Sequence, residues 1–257
     1  MALFAVTRLR LSSLGTGSLL PGCLAVVLWL AAAGPAAAQD VAKEFWPEVD
    51  TWWRLSPAWR LSLFVPISEN LDIHYREGNL IPQVDFAFGQ TRREGRLMDE
   101  DRARRMKAFL LRGGYLGGKS LDDQGEAYSE RSALAELHVR IPVTGGFLLS
   151  HRFRTDLRWL GEAPEFSSRY RYRLQLEREI ASGSISFVPY INVEPYYDSR
   201  YETWNRVRVI AGTSVARSSW LALECNGTYQ YDTHASNKET LALNVILHLF
   251  LDTSRTR

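Results

Sequence analysis

Cysteine is nearly absent from this chain, which has only Cys23 and Cys225 among its 257 residues. Cleavage after a predicted leader of 38 residues would remove Cys23, and a single remaining cysteine cannot form an intramolecular disulfide. Long apolar runs are also missing after residue 38, where no segment approaches the ~20 apolar residues of a membrane-spanning helix. Phosphate loops, dinucleotide fingerprints and CxxC motifs do not occur. The fold must therefore be held by strand pairing and packing, and the nucleotide-binding and thiol-redox classes are not indicated.

Neither sign of charge is in excess once the leader is removed. The first 38 residues contain two of the 31 basic residues and none of the 29 acidic ones, which leaves 29 of each sign and a formal charge of zero. A nucleic-acid-binding domain would carry a basic surplus gathered on one face, so we expect no nucleic-acid partner. The five histidines show no metal-ligand spacing. We therefore expect no metal and no cofactor.

The leader itself has the pattern of a secretory signal peptide. Arg8 and Arg10 supply a positively charged start, and Leu24 to Ala33 form a short apolar run. Ala36-Ala37-Ala38 then offers a small-residue cleavage site. We predict a signal peptide over residues 1–38 and export across the inner membrane.

Alternation of apolar and polar residues dominates the rest of the chain and is typical of β-strands. Between Phe166 and Arg178, tyrosines and leucines share one parity while arginines share the other. A helix has a period of 3.6 and could not separate two such rows. Alternation of varying strength predicts eleven strands, near 45–55, 58–66, 79–89, 107–116, 130–141, 147–159, 166–178, 184–197, 203–215, 218–231 and 240–249.

We predict an all-β fold, an antiparallel up-and-down β-barrel of 10 to 12 strands that forms one domain over residues 39–257. Bacterial single-chain barrels have an even number of strands, so we expect a missed strand, for example near Leu71 to Tyr75. The charged segment Met98 to Lys107 is predicted to be a solvated loop, with a short helix or plug-like insertion as the alternative. Short turns are expected at Ser56-Pro57, Pro142 to Gly146, Ala181 to Ser184 and Ala216 to Ser219, and longer loops at about 67–78, 117–127, 160–165 and 232–238.

The same alternation fits a soluble sheet, which buries its apolar row, and a membrane barrel, which turns that row to lipid. Aromatic residues near the predicted strand ends favour the membrane, because amphipathic rings suit its interfaces. This predicted girdle comprises Trp46, Trp52, Trp53, Trp59, Trp159, Trp204, Trp220, Tyr196, Tyr197, Tyr201, Tyr229 and Tyr231.

The cost of placing arginine in lipid predicts which row faces inward. One arginine on the lipid face at the bilayer midplane costs ~2–4 kcal/mol, so Arg169, Arg171 and Arg173 together would cost roughly 6–12 kcal/mol. That sum is most of a typical fold's stability, so the polar row should face the lumen. Open sheet edges in lipid would leave backbone groups unsatisfied, which predicts closure. Since buried charges must be paired, we expect cross-strand pairs of arginine with glutamate or aspartate.

Several segments resemble one group of bacterial proteins that is catalogued as a domain of unknown function and regarded as outer-membrane-barrel-like. They are Glu44 to Asp50, Leu111 to Tyr115, Ser168 to Arg173, and Pro189 to Tyr201. The resemblance implies a barrel in the outer membrane of a Gram-negative cell and brings no assigned activity. The expected partners are outer-membrane lipid and, during assembly, the outer-membrane insertion machinery. The chain departs from many such barrels because Phe250 does not end the sequence but is followed by Leu251 to Arg257.

Two roles are compatible with an arginine-rich lumen. Rings of charge set selectivity in pores, so a small pore or a site for anionic solutes or sugars is one hypothesis. The other is purely structural, because side chains fill narrow barrels. The candidate lumen-lining or binding residues are Arg152, Arg154, Asp156, Arg158, Arg169, Arg171, Arg173, Glu177, Glu194, Asp198, Arg206 and Arg208.

Two further alternatives lie outside the pore and scaffold hypotheses. A soluble periplasmic barrel would keep the alternation without an aromatic girdle. A lipid hydrolase or acyltransferase would need a histidine with a serine and an orienting group. His151 lies in the lipid-facing row between Leu149 and Phe153, but no serine shares its parity in that strand and no Gly-x-Ser-x-Gly elbow occurs. We therefore expect no catalytic residues and no enzyme activity.

Overall fold

A computed structural model describes residues 41–94, 105–122, 128–182, 185–216, 218–235 and 238–252, and these form a closed barrel of eleven strands. The predicted signal peptide and most of the predicted charged loop lie outside the described residues. The strands are β1 Val41–Arg54, β2 Trp59–Asn70, β3 Tyr75–Glu94, β4 Arg105–Ser120, β5 Ser129–Pro142, β6 Phe147–Leu160, β7 Glu165–Arg178, β8 Ile180–Ser182, β9 Ile185–Asp198, β10 Thr203–Ala216, β11 Leu221–Asp232 and β12 Glu239–Asp252.

The short strand β8 is a continuation of β7 and not a separate member of the barrel. Both segments pair with β9 in one register, from Arg169 opposite Asp198 to Ile180 opposite Phe187. The prediction of an all-β barrel with eleven strands is therefore confirmed.

The barrel closes through a parallel pair. Sequential barrel strands are antiparallel, but β1 and β12 run parallel from Val41 opposite Glu239 to Arg54 opposite Asp252. In an up-and-down barrel with an odd number of strands, the first and last strands point the same way, so closure requires such a pair. The expectation of a wholly antiparallel barrel is wrong at this seam. The expected missing strand is wrong as well, because residues 71–74 form the turn between β2 and β3.

Connections lie at two ends of the barrel, which we call upper and lower. At the upper end β2 connects to β3, β4 to β5, β6 to β7, β9 to β10 and β11 to β12; at the lower end β1 connects to β2, β3 to β4, β5 to β6, β8 to β9 and β10 to β11. The loops predicted near 67–78 and 160–165 are short turns, because the flanking strands extend further than their alternation indicated. The turns that the structure describes in full have four residues each at both ends: 71–74, 161–164 and 199–202 at the upper end, and 55–58 and 143–146 at the lower end.

The alternation in sequence becomes a division between the inside and the outside of the barrel. On β7, Arg169, Arg171 and Arg173 lie on the inner face, while Phe166 and Tyr170 are exposed on the outer face. The strands form the barrel wall, and inner residues of neighbouring strands lie opposite one another in register. The buried interior is accordingly polar and charged, and the outer surface is apolar.

Glycine makes room for the packed interior at one position on β10. An added Cβ at Gly212 would lie 2.6 Å from the Cys225 carbonyl oxygen and 2.8 Å from the Asn226 Cα on β11. No other residue fits this close approach without a backbone shift. The glycine thus leaves space inside the barrel for the buried side chain of Asn226.

Aromatic residues occupy both ends of the outer surface, as predicted, but three of the predicted girdle residues point inward. Trp59 and Trp220 are exposed at the lower end, and Trp159 and Trp204 at the upper end. The predicted place in the girdle is wrong for Trp46, Trp52 and Tyr196, which share the parity of acidic residues on β1 and β9. Among the described residues, no helix is long and apolar enough to cross a bilayer.

Candidate functional site: the barrel interior

The twelve predicted lumen residues are brought together on the inner face of four strands. They lie on β6, β7, β9 and β10, which are neighbours in the barrel. Most of them form one network in which carboxylates alternate with guanidinium groups. The network confirms the expected cross-strand pairing of arginine with acidic residues.

Glu194 on β9 is one of the most heavily contacted carboxylates of this network. Its side chain is completely buried and accepts hydrogen bonds from arginines on two other strands. Arg152 Nη2 lies 2.5 Å from Glu194 Oε1, Arg171 Nε lies 2.9 Å from the same oxygen, and Arg173 Nη2 lies 2.7 Å from Oε2. Three cations share one buried anion, so this cluster carries a local positive surplus.

Two further carboxylates extend the network around the wall. Glu136 on β5 accepts from Arg154 Nη1 at 3.1 Å and from Arg112 Nη1 at 3.4 Å. Asp156 on β6 accepts from Arg154 Nε at 2.6 Å and from Arg169 Nε at 3.3 Å. Arg154 therefore bridges two acids, and its planar guanidinium suits that geometry.

Near the upper end, paired acids hold the remaining arginines. Arg158 donates to Glu130 at 2.8 Å and to Asp198 at 3.1 Å. Asp198 also accepts from Arg200 Nη2 at 2.9 Å, and Arg206 Nη2 lies 2.6 Å from Asp232 Oδ2. The predicted candidate Asp198 thus lies in the network at the mouth of the barrel.

Tyr128 adds a neutral hydrogen-bond donor at the same end, just before β5. Its hydroxyl donates to Glu130 Oε2 at 3.0 Å. Burial, and then the nearby charge of Glu130, raises the pKa of Tyr128 well above its usual range. The hydroxyl therefore stays protonated and serves as a donor at neutral pH.

Arg208 differs from the other predicted arginines. It contacts no carboxylate among the described residues; Nε donates to Gln230 Oε1 at 2.5 Å. Its guanidinium lies over two aromatic rings, 4.9 Å from the centroid of Trp46 and 5.3 Å from that of Tyr196. Cation–π contacts with inward-facing rings replace an ion pair here. The last candidate, Glu177, is buried at the lower part of β7 and accepts from Gln175 Nε2 at 2.6 Å.

Tyr196 is the central residue that sequence reasoning placed outside the barrel. Its side chain is 1% exposed, and Arg171 Nη2 donates to its hydroxyl at 2.9 Å. The guanidinium groups of Arg169, Arg206 and Arg208 also lie within 6 Å of its ring centroid. Its parity, shared with Glu194 and Asp198, was the signal that would have placed it inside.

A second buried cluster, which sequence reasoning did not assemble, is centred on β1, β11 and β12. His248 Nε2 lies 3.2 Å from Glu224 Oε2, and His248 Nδ1 lies 3.4 Å from Asp50 Oδ2. Glu224 also accepts from Ser214 at 2.7 Å and from Tyr190. The interior therefore has an arginine-rich side on β6, β7 and β10 and an acidic side near the β1–β12 seam.

Two further histidines lie on opposite faces of the barrel wall. His151 lies on the outer face, where its Nδ1 is 2.7 Å from the Tyr172 hydroxyl, and its register partners are Val139 and Leu174. His138 lies inside, with Nε2 2.8 Å from Glu136. Within the described ranges, no group of three or more histidine, cysteine or acidic side chains has metal-binding geometry.

Two cavities lie at opposite ends of the interior. The lower one has a volume of about 30 Å³ and includes Arg60 and Asp85 in its wall. The upper one has a volume of about 130 Å³ and is lined by residues of β6, β7, β9, β10, β11 and two upper turns. Between them, Asp156 and Glu194 have no exposed surface.

Comparison with known proteins identifies a family and leaves the activity open. No curated protein and no solved structure gives a significant match to the chain. One family model, described as "Protein of unknown function (DUF2490)", matches residues 103–240. These residues span β4 to β11 entirely, including all twelve predicted lumen residues, and they make up more than half of the chain. The predicted resemblance to a family of unknown function is thus confirmed, and the chain belongs to the DUF2490 family.

Proposed function

We propose that this protein is an integral β-barrel of the Gram-negative outer membrane with a closed, arginine-filled interior. The observation that carries the proposal is the apolar outer surface. Leu80 and Ile191 are each 52% exposed and Phe153 is 49% exposed, although such residues normally form a core. The charged side chains, by contrast, are buried inside.

Hydrocarbon explains this inverted distribution better than water does. Soluble monomers rarely expose contiguous apolar patches larger than a few hundred Å². Here exposed apolar residues occur on β1 to β7 and β9 to β12, which together encircle the barrel. Burial of a large apolar side chain contributes about 1.5–3 kcal/mol. Contact with lipid would therefore stabilise the outward-facing apolar side chains of every strand, whereas contact with water would not.

The parallel seam also meets the requirement of a membrane for satisfied backbone groups. Bacterial outer-membrane barrels have even strand numbers, so an eleven-stranded barrel departs from that pattern. However, β1 and β12 pair along all 14 residues of each strand, which leaves no open edge. A sheet in lipid must be closed so that its backbone groups are paired, and an even number of strands is not required for that.

The interior supports a closed barrel instead of an open pore. Lumen residues of a water-filled pore would be accessible to water. Instead, Glu194 on β9, Thr228 on β11, Asp50 on β1 and Asp85 on β3 are at most 6% exposed. These residues come from different sides of the wall, so packed side chains fill the space between them.

Membrane integration is tested by fractionation and gel mobility. The mature protein should sediment with outer membranes, resist extraction by alkaline carbonate and show a heat-dependent shift in gel mobility. Recovery as a folded, water-soluble monomer without detergent would refute the membrane assignment. In that case the barrel would be the soluble periplasmic alternative.

Closure is tested separately by conductance in planar bilayers. The wild-type protein should insert without measurable ion current. A Tyr196→Ala/Arg171→Ala variant removes two interior side chains that contact each other at 2.9 Å and should conduct, while Arg76→Ala, an exposed change at the upper end, should stay silent. A steady wild-type current would overturn the closed interior and favour a pore.

We also propose that the outer-face histidine has no catalytic role. His151 contacts the Tyr172 hydroxyl, and its register partners Val139 and Leu174 are aliphatic, so no serine, threonine or cysteine lies directly opposite it on the neighbouring strands. Phospholipid and lipopolysaccharide turnover should be indistinguishable between wild type and His151→Ala. Loss of a wild-type hydrolase or acyltransferase activity in that variant would restore the enzyme hypothesis.

A further inference from the structure

The upper cavity has the composition of a binding site for a small anion. Four arginines and two aspartates contribute to its wall, which gives a formal surplus of two positive charges at the surface of the cavity: Arg158, Arg169, Arg200 and Arg206 against Asp198 and Asp232. The volume of about 130 Å³ would hold roughly four water molecules at ~30 Å³ each. A compact tetrahedral anion fits that space.

The arginines differ in how fully their donors are used. Arg200 donates Nε and Nη2 to Asp198, and Arg158 donates from Nε, Nη1 and Nη2. Arg206 donates Nε to Asp232, and its Nη2 forms an ion pair with the same carboxylate. Arg169 makes only one side-chain hydrogen bond within the described ranges, from Nε to Asp156 at 3.3 Å, with Glu130 at 3.8 Å. Its terminal nitrogens therefore remain as donors for a ligand, since a guanidinium carries five N–H groups.

Carboxylates behind the cavity do not cancel this surplus. Asp156 and Glu130 contact Arg169 and Arg158 from behind, but Asp156 is also bound by Arg154. One step deeper, Arg208 contacts no carboxylate among the described residues. The potential at the cavity therefore stays positive, and a low-dielectric wall strengthens it.

A second feature points to a ligand that carries a hydrogen-bond donor. Asn205 lies in the cavity wall, and its Nδ2 is 3.4 Å from Asp232. Its buried Oδ1 has no hydrogen-bond partner in the described structure. An unsatisfied buried acceptor is costly, so a ligand hydroxyl that displaces the side chains covering Oδ1 would satisfy this acceptor.

Access to the cavity is from the upper end. Arg200 and Tyr201 belong to the 199–202 turn, and His234 belongs to the 233–238 connection. The rings of Tyr201 and His234 stack with centroids 4.0 Å apart. They cover one side of the opening, and the Arg200 side chain remains 34% exposed beside it. A solute therefore meets a guanidinium before it enters.

We propose that this upper cavity binds inorganic phosphate or the phosphate group of a small phosphate monoester. Guanidinium groups bind phosphate oxygens in bidentate fashion, and a protonated phosphate oxygen or an ester's neighbouring hydroxyl can donate to Asn205. The barrel wall separates the cavity from lipid, which favours a dissolved solute over a lipid headgroup. The inference deepens the proposed function, because it assigns a ligand to the mouth of a closed outer-membrane barrel.

The test is isothermal titration calorimetry on the refolded barrel in a detergent with an uncharged headgroup. Inorganic phosphate at neutral pH should bind with one site per barrel. Loss of hydrogen bonds from a charged donor should weaken binding about tenfold to a hundredfold in Arg169→Gln. Arg169→Lys keeps the charge and should lose less, which separates binding from misfolding. The matched control is Arg60→Gln, which removes an interior, ion-paired arginine at the lower end and should leave phosphate affinity unchanged.

Sulfate distinguishes the role of Asn205, because it presents charged oxygens without a hydroxyl. Phosphate should bind about threefold to tenfold more tightly than sulfate, the range expected for one neutral hydrogen bond, and Asn205→Ala should remove that difference. Repeating the titration in phosphatidylcholine vesicles with and without phosphatidylglycerol identifies the source of the phosphate. Equal affinities support a dissolved solute, and competition by phosphatidylglycerol would overturn that source in favour of a headgroup.

The absence of phosphate binding, or equal losses in Arg169→Gln and Arg60→Gln, would refute the site. An inserted barrel without phosphate affinity would refute this inference alone. A water-soluble barrel that still binds phosphate would refute the membrane proposal alone.

Discussion

Glu194→Gln should destabilise the barrel more than any change at an exposed ion pair. The substitution keeps the shape of the side chain but removes the anion that Arg152, Arg171 and Arg173 contact at 2.5, 2.9 and 2.7 Å. Two unit charges about 4 Å apart attract by roughly 4 kcal/mol at an effective dielectric constant of about 20. Part of that energy is offset by the cost of burying the carboxylate. Removing one partner of a buried pair leaves a net loss of about 3–5 kcal/mol.

The assay is reversible urea unfolding of the refolded barrel, followed by tryptophan fluorescence. At an m-value of about 2 kcal/mol per molar urea, the midpoint should fall by roughly 2 M. Asp122→Asn, which breaks an exposed contact with Arg76 at the upper end, is the control and should leave the midpoint unchanged. Adding Arg173→Gln to Glu194→Gln should recover part of the loss, because one uncompensated cation is removed. A midpoint for Glu194→Gln within error of the wild type, or simple additivity in the double variant, would show that the network does not hold the barrel together.

Three further outcomes are expected. Arg208→Met should lower the unfolding free energy by about 1–3 kcal/mol, because the buried Gln230 loses its donor but no carboxylate loses a partner; a loss as large as that of Glu194→Gln would reveal an ionic role. Gly212→Val should cost about 1–3 kcal/mol through overpacking, whereas Gly113→Val, where an added Cβ meets nothing within 4 Å, should be tolerated; equal urea midpoints would contradict the packing. The hydrogen bond from Arg76 lowers the pKa of Asp122 below its ordinary 3.8, so this contact is complete above that pH and is lost as the pH falls through the lowered pKa. Proteolysis of the 121–128 connection should therefore rise in acid for the wild type, measured with an acid-active protease, and should be high at every pH in Asp122→Asn.

Parity along each strand predicted most of the interior correctly. It placed the twelve candidate residues inside, because an apolar environment sorts side chains by the two-residue period of a strand. The same rule would have placed Trp46 and Tyr196 inside. The girdle prediction includes them because they are aromatic and lie near predicted strand ends, which gives the general preference of aromatic rings for membrane interfaces more weight than the period.

The sequence alone does not predict which side chains of different strands contact each other. Glu194 and Arg152 are 42 residues apart, and their meeting depends on the registers of three strands. The acidic cluster of Asp50, Glu224 and His248 depends in addition on the closure of the barrel, which brings the first and last strands together. The parallel direction of that closure follows from the odd number of strands. Alternation predicts this number, but the even strand numbers of known barrels led us to expect a further strand.

The odd number of strands also decides where the two ends of the chain emerge. Strand β1 starts at the upper rim and β12 finishes at the lower rim, whereas an even-stranded meander returns both to one rim. In a membrane, a peptide tag placed before Val41 and another placed after Asp252 would face different compartments. A protease or antibody that is added to intact cells would then reach one tag and never both, and which tag it reached would fix whether the arginine-rich mouth opens to the outside world or to the periplasm.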